Sequence, residues 1–103
     1  MEGLYENIAG LDKVLSEPSR LAILVVLYEV EECDFMFLQR MTGLTRGNLS
    51  FHIYKLEKAG YIKITKKFIN KKPTTVCRIT KKGKKALLNY LREMKKLIDN
   101  LNV

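Results

Sequence analysis

The sequence predicts a mainly α-helical fold carrying one small β-hairpin, and three observations lead there. Apolar residues recur at intervals of three and four along most of the 103 residues. After Gly60 that period gives way to alternation, with Ile62 and Ile64 set between Lys63 and Thr65. Past Thr80 the helical period returns and holds almost to the C-terminus. The length suits one core and one domain over residues 1–103, and 47% hydrophobic with 29% charged residues is a folding composition rather than that of a basic tail. A core this small covers long apolar helices poorly, so dimerisation is a physical expectation.

A first short helix is expected over about Glu6 to Leu15. Ser16-Glu17-Pro18 follows, with a capping-type serine and a proline suited to a first helical turn. The second helix, Pro18 to Val30, carries Leu21, Ile23, Leu24, Val25, Val26 and Leu27 around most of its circumference, as befits the helix on which a small domain packs. Acidic Glu31-Glu32 and a short strand at Cys33-Asp34 lead into a two-turn helix over Phe35 to Met41, which Thr42-Gly43 closes. After a tight turn, Thr45 is an N-cap for Arg46 to Ala59, where Leu49, Ile53 and Leu56 line one face and Gly60 is the stop. The hairpin then runs out from Tyr61 and returns through Val76, Cys77 and Ile79, with its turn at Asn70-Lys71-Lys72-Pro73. Thr80 caps a last helix, about Lys81 to Leu101, whose Leu87, Leu91, Met94, Ile98 and Leu101 recur at steps of four and three beside Leu88, Tyr90 and Leu97. That apolar surface is wider than a coiled-coil seam. One flank is expected on its own core and another on a second subunit, joined by Leu4, Ile8 and Leu11 of the first helix.

In this order the elements are those of a winged helix-turn-helix with N- and C-terminal dimerisation helices: the helix-turn-helix over about 35–59, the wing over about 61–80 and the dimer helix over about 81–101. The charge agrees with that order. Tyr61 to Lys85 holds ten lysines and arginines and no carboxylate, whereas the whole chain carries only +8. A lysine-rich run alone is usually a solvated face; one that brackets a hairpin directly behind a helix-turn-helix is suited to a polyanion. Opposite Leu49, Ile53 and Leu56, the second helix of the motif presents Arg46, Asn48, Ser50, Phe51, Tyr54 and Lys55. Arginine can bind guanine and asparagine adenine in bidentate fashion, serine and lysine can hold phosphates, and an aromatic edge can meet a thymine methyl. Arg46 is equally suited to a phosphate. Gly47 fits close approach of DNA or plain tolerance near a helix end, and His52 fits either a phosphate anchor or a packed, hydrogen-bonded residue. Phe68, near the hairpin tip, is open between core cover and groove contact.

Other classes have little in the sequence to carry them. The longest apolar stretch, Leu21 to Tyr28, is far short of the roughly 20 residues of a membrane span. The acidic N-terminus lacks a signal peptide's basic head and apolar run, so a cytoplasmic location is expected. Cys33 and Cys77 are far apart in sequence, without the spacing of a zinc or redox motif, so no metal and no cofactor are expected. With one histidine, no nucleophile motif and no phosphate-cradling glycine loop, the chain is not expected to be an enzyme.

The run Leu44 to Ile62, with its Asn48-Leu49-Ser50 followed by His52, Leu56-Glu57 and Ala59-Gly60-Tyr61, resembles the recognition helix and first wing strand of MarR-like and ArsR-like winged-helix transcriptional regulators. Glu17 to Leu24 is similar to that family's second helix, and Ile79-Thr80-Lys81-Lys82-Gly83 to the start of its last helix in a compact subgroup. The resemblance spans nearly the whole chain. It implies a homodimer that binds a near-palindromic operator in double-stranded DNA, with Thr45, Arg46, Gly47, Asn48, Ser50, Phe51, His52 and Lys55 in the major groove. Lys66, Lys67, Asn70, Lys71, Lys72 and Thr74 would form the DNA-contacting wing. The ArsR-like metal sensors carry a cysteine pair in the first helix of the motif, where this chain has only nearby Cys33. Metal sensing is not expected, and the chain has little material for a small-molecule effector pocket. The alternative function is a winged-helix module for a protein or RNA partner.

Overall fold

A computed structural model describes residues 2–101. Its elements are α1 (Leu4–Ala9), α2 (Pro18–Val30), β1 (Glu32–Asp34), α3 (Phe35–Thr42), α4 (Arg46–Lys58), β2 (Ile62–Ile69), β3 (Lys72–Ile79) and α5 (Lys81–Asp99). The three strands form one antiparallel sheet in the order β1-β3-β2. This is the mainly helical winged helix-turn-helix the sequence predicts, with β1 adding a third strand to the hairpin.

The core gathers one side of every long element. Leu15, Ile23, Leu24, Leu27, Leu38, Leu49, Leu56, Leu87 and Cys77 are fully buried, with Ile53, Ile62, Ile79 and Tyr90 around them. Each such aliphatic side chain contributes about 1.5 to 3 kcal/mol on leaving water, so the face of α4 that carries Leu49, Ile53 and Leu56 is firmly held. Its other face is free to project.

Local chemistry sets the ends. Asp34 caps α3 by accepting from the Phe37 amide at 2.8 Å, and Thr80 caps α5 by accepting from the Gly83 amide at 3.0 Å. Between α3 and α4, Gly43 takes φ 74°, a left-handed conformation that costs glycine little, and so makes the tight turn. The first helix departs from expectation. It ends at Ala9, because Gly10 follows and the Asp12 carboxylate then draws in the Val14 and Leu15 amides, which turns the chain and drops Leu15 into the core. Ser16 does not cap α2; its hydroxyl donates to the Asp12 carbonyl, and the Glu17 carboxylate accepts from the Arg20 amide instead.

The hairpin turn opens at Asn70 as expected but is tighter, closing two residues sooner. Asn70 and Lys71 alone form the turn, both at positive φ (52° and 65°), the type I′ geometry that matches the twist of two paired strands. Pro73 therefore lies within β3, opposite Phe68. There its missing N–H points to the side that β1 never reaches, since β1 ends opposite Val76.

At its base the wing is knitted to both neighbouring helices. The Thr80 hydroxyl donates to the Gly60 carbonyl at 2.6 Å, the Thr80 amide to the Tyr61 carbonyl at 3.0 Å, and the Tyr61 amide to the Leu56 carbonyl of α4 at 3.0 Å. The Tyr61 hydroxyl donates to the Asp12 carboxylate, and burial together with that bond pushes its pKa up to about 12. Cys33 and Cys77 face each other across β1 and β3 as free thiols, each raised to about 11, chiefly by burial. Among the described residues no helix is long and apolar enough to cross a membrane, and no group of three potential metal-ligating side chains occurs.

Candidate nucleic-acid interface

The surface of interest starts at Thr45, whose hydroxyl accepts from the Asn48 amide at 3.2 Å and so fixes the first turn of α4. From that turn Arg46, Gly47, Asn48, Ser50, Phe51, Tyr54 and Lys55 are all exposed. The aromatic rings are not loose. The Lys55 ammonium lies 5.4 Å from the Phe51 ring centre, Lys58 lies 5.6 Å from Tyr54, and the Arg46 guanidinium lies 6.0 Å from Phe35 on α3. These cation–π contacts pre-order long side chains that would otherwise lose more entropy on meeting a ligand. Outside its own helical turn, no described residue lies within 4 Å of where a Gly47 side chain would begin, so the helix backbone is bare there.

His52 is placed otherwise. Its ring is only 13% exposed and sits 3.5 Å from both Glu17 and Arg20, tying α4 to the start of α2. The packed alternative is the one realised, because position 52 falls at the border of the buried stripe and turns inward.

The wing brings Lys66, Asn70, Lys71 and Lys72 to the surface, and Thr74 is half-buried with its hydroxyl toward the Lys72 carbonyl. Lys67 is exposed but engaged, donating to Glu32 at 2.9 Å. That pair belongs to a cluster the charge count did not foresee. Arg78 meets Glu32 at 2.8 Å and Glu31 at 3.6 Å, and Lys84 meets Glu31 at 2.6 Å. The hydrogen bond from Lys84 holds the Glu31 carboxyl below its usual range, and that from Lys67 does the same for Glu32. The acidic pair of residues 31 and 32 thus folds against the basic run and engages Lys67, Arg78 and Lys84. Lys63, Lys66, Lys71, Lys72, Lys81, Lys82 and Lys85 have no ion pair among the described residues.

Between α4 and the hairpin lies an open cleft of about 820 Å³, lined by Arg46, Ser50, Tyr54 and Glu57 of α4, by Lys72, Pro73 and Thr75 of β3, and by Asp34, Phe35 and Met36 at the start of α3. Helix face and wing therefore share one concave surface. Tyr54, which the sequence pattern places on the presented face of α4, lines it, whereas Lys58, which that pattern does not single out, is exposed on the same helix with its ammonium over the Tyr54 ring. Phe68 is no cover for the core; it is 80% exposed.

The expected subunit contacts divide. Leu87 is buried at 2% exposure and so is closed to a second chain, whereas Met94 and Leu11 are half-buried against the same core. Leu4 is half-buried. Ile8, Leu91, Ile98 and Leu101 remain exposed, with Tyr5 and Leu88 beside them in kind. The helix turns about 100° per residue, which sends Leu87, Tyr90 and Met94 inward and leaves Leu88, Leu91 and Ile98 on an adjacent stripe.

Residues 19–98 match the winged helix DNA-binding domain family, and the chain belongs to it. It is similar to an uncharacterized protein from Methanocaldococcus jannaschii, 37% identical over 89 residues, which cover 86% of this chain and 97% of that protein. In structure it is similar to a transcriptional regulator homologue from Pyrococcus horikoshii OT3, 35% identical over the whole of both chains with a TM-score of 0.88. The transcriptional repressor BigR from Xylella fastidiosa is a further structural relative, 26% identical, with 89% of this chain and 87% of that one covered at a TM-score of 0.66. The resemblance to winged-helix transcriptional regulators read from the sequence is borne out, and an ArsR family transcriptional regulator, 24% identical, shares the fold.

Proposed function

We propose that the protein is a homodimeric transcriptional regulator that binds double-stranded DNA with sequence specificity. The single observation behind this reading is the shared concave surface, on which the exposed polar and aromatic face of α4 stands beside a lysine-bearing hairpin. An α-helix of this width fits the major groove, with Arg46 and Asn48 at its leading end toward base edges. Lys66, Lys71 and Lys72 would then lie along phosphates or the adjoining minor groove. Pairing of α1 and the exposed stripe of α5 around a two-fold axis would cover apolar surface left exposed among the described residues, and it would make the operator near-palindromic. The reading involves no catalysis, and a cytoplasmic location goes with it.

The test is duplex affinity measured across salt concentrations. A dimer contacting phosphates through both wings is expected to give a log–log slope on the order of −5 to −9. Replacing Lys71 and Lys72 with alanine should weaken binding to every sequence and flatten that slope. Arg46→Ala or Asn48→Ala should instead cost about 1 to 3 kcal/mol and relax preference at particular base pairs. Equal or tighter binding to duplex RNA in direct competition would count against this function and for an RNA-binding module.

A further inference from the structure

The hairpin ends on an apolar pair that the fold itself does not use. Phe68 stands opposite Pro73, one step inside the closing pair Ile69 and Lys72. The closing pair of a two-residue turn exchanges hydrogen bonds, so the next pair is of the non-hydrogen-bonded kind, in which facing side chains come closest. Both residues are exposed all the same, Phe68 almost entirely. Proline is rigid and phenylalanine turns about only two side-chain bonds, so together they form a blunt apolar point that loses little freedom when it inserts.

Position and reach say what it would enter. Alternation along β2 puts Phe68 on the same sheet face as Ile62 and Ile64, the face that covers the core and then lines the cleft beside α4. From Ile64, the last half-buried residue of β2, to Ile69 is five residues, about 16 Å of extended strand. Successive major grooves repeat every 34 Å or so, and half that repeat, about 17 Å, separates a seated helix from the neighbouring minor groove. The flanks are cationic: Lys66, Lys71 and Lys72 carry no ion pair among the described residues, and no carboxylate occurs between Tyr61 and Lys85. An apolar point collared by uncompensated lysines suits a polyanion with an apolar interior, which is a stacked duplex, better than an apolar protein surface.

We propose that Phe68 and Pro73 form a wedge that enters the minor groove beside the site read by α4, partly unstacks one base step and bends the duplex. This rests on the duplex-binding reading above and adds to it a source of specificity without base hydrogen bonds. Apolar side chains inserted from the minor groove kink DNA toward the major groove, and pyrimidine–purine steps such as TA and CA open most easily. The outer flanks of the operator should therefore favour such steps over A-tracts.

The experiment uses the full chain with duplexes of roughly 30 base pairs, about three turns, carrying a fluorophore pair at their ends and 2-aminopurine at the flanking step. The unaltered protein should shorten the end-to-end distance and brighten 2-aminopurine, more so with TA flanks than with A-tracts. Phe68→Ala should keep duplex affinity within about tenfold and keep the salt slope, yet lose the bend, the brightening and the flank preference. Phe68→Trp should retain all three. Bending and brightening that persist in Phe68→Ala, or that are absent in the unaltered protein although it binds, would overturn the wedge and leave the duplex-binding reading standing. A Phe68→Ala protein that changes its oligomeric state without DNA would also overturn it, by making the tip a protein contact. Failure of the unaltered protein to bind any duplex would overturn both.

Discussion

Gly83 sits where the first turn of α5 passes directly over the Tyr61 backbone. A methyl group there would overlap the Tyr61 carbonyl oxygen and lie 3.1 Å from Ile79 Cγ1. The obstacle is main chain, already fixed by the Thr80 amide, so it cannot swing aside as a side chain would. Gly83→Ala is expected to cost about 2 to 3 kcal/mol, measured by denaturant unfolding, because it pushes the wing base away from α5. Lys71 illustrates the opposite bargain. A type I′ turn favours glycine at its second position, and a lysine at φ 65° gives up about 1 kcal/mol of backbone energy there. What it supplies is a cation at the very tip. Lys71→Gly should thus raise stability by up to about 1 kcal/mol in unfolding experiments while lowering duplex affinity in titrations at the same salt concentration. At this scale the sequence was informative wherever one residue's chemistry acts alone, as at the Thr45 and Thr80 caps and the Gly43 turn. It was uninformative for His52 and Lys67, whose partners Glu17, Arg20 and Glu32 lie more than thirty positions away and become neighbours only on folding.

Among the elements, α5 carries the most unused surface. Its inner stripe of Leu87, Tyr90 and Met94 faces the core, whereas Leu88, Leu91 and Ile98 stand on the next stripe and stay exposed among the described residues. A helical wheel read from sequence shows both stripes but not where the division falls; burial at Leu87 and Met94 marks it. Changing Leu91 and Ile98 to lysine should yield monomers on sedimentation, with helical circular dichroism retained because neither residue supports the fold. Full-site binding should fall steeply, since the second half-site is no longer held at a high local concentration. A dimer that survives the double change would remove α5 from the subunit contact. The remaining elements were legible to within a residue or two, except α1, where Gly10 and the Asp12 turn stop the helix before its apolar pattern ends.

Across the whole molecule, charge and shape are arranged on different principles. The acidic N-terminal part is not simply distant from the basic run, because Glu31 and Glu32 fold onto it and engage Lys67, Arg78 and Lys84 along the sheet. The free lysines are thereby concentrated at the hairpin tip and at the start of α5, and the tip shares a concave surface with the exposed face of α4. Counting charges along the sequence gave the sign of the partner but overstated the field. Two such surfaces related by a two-fold axis would meet successive major grooves about 34 Å apart. Whether this surface reads duplex DNA as a dimer is tested most directly by selection of bound sequences from a random duplex pool. Enrichment of a near-palindromic motif whose half-sites are centred roughly one helical turn apart is the predicted result. Recovery of no motif, or of a single unpaired half-site bound by one chain, would contradict it.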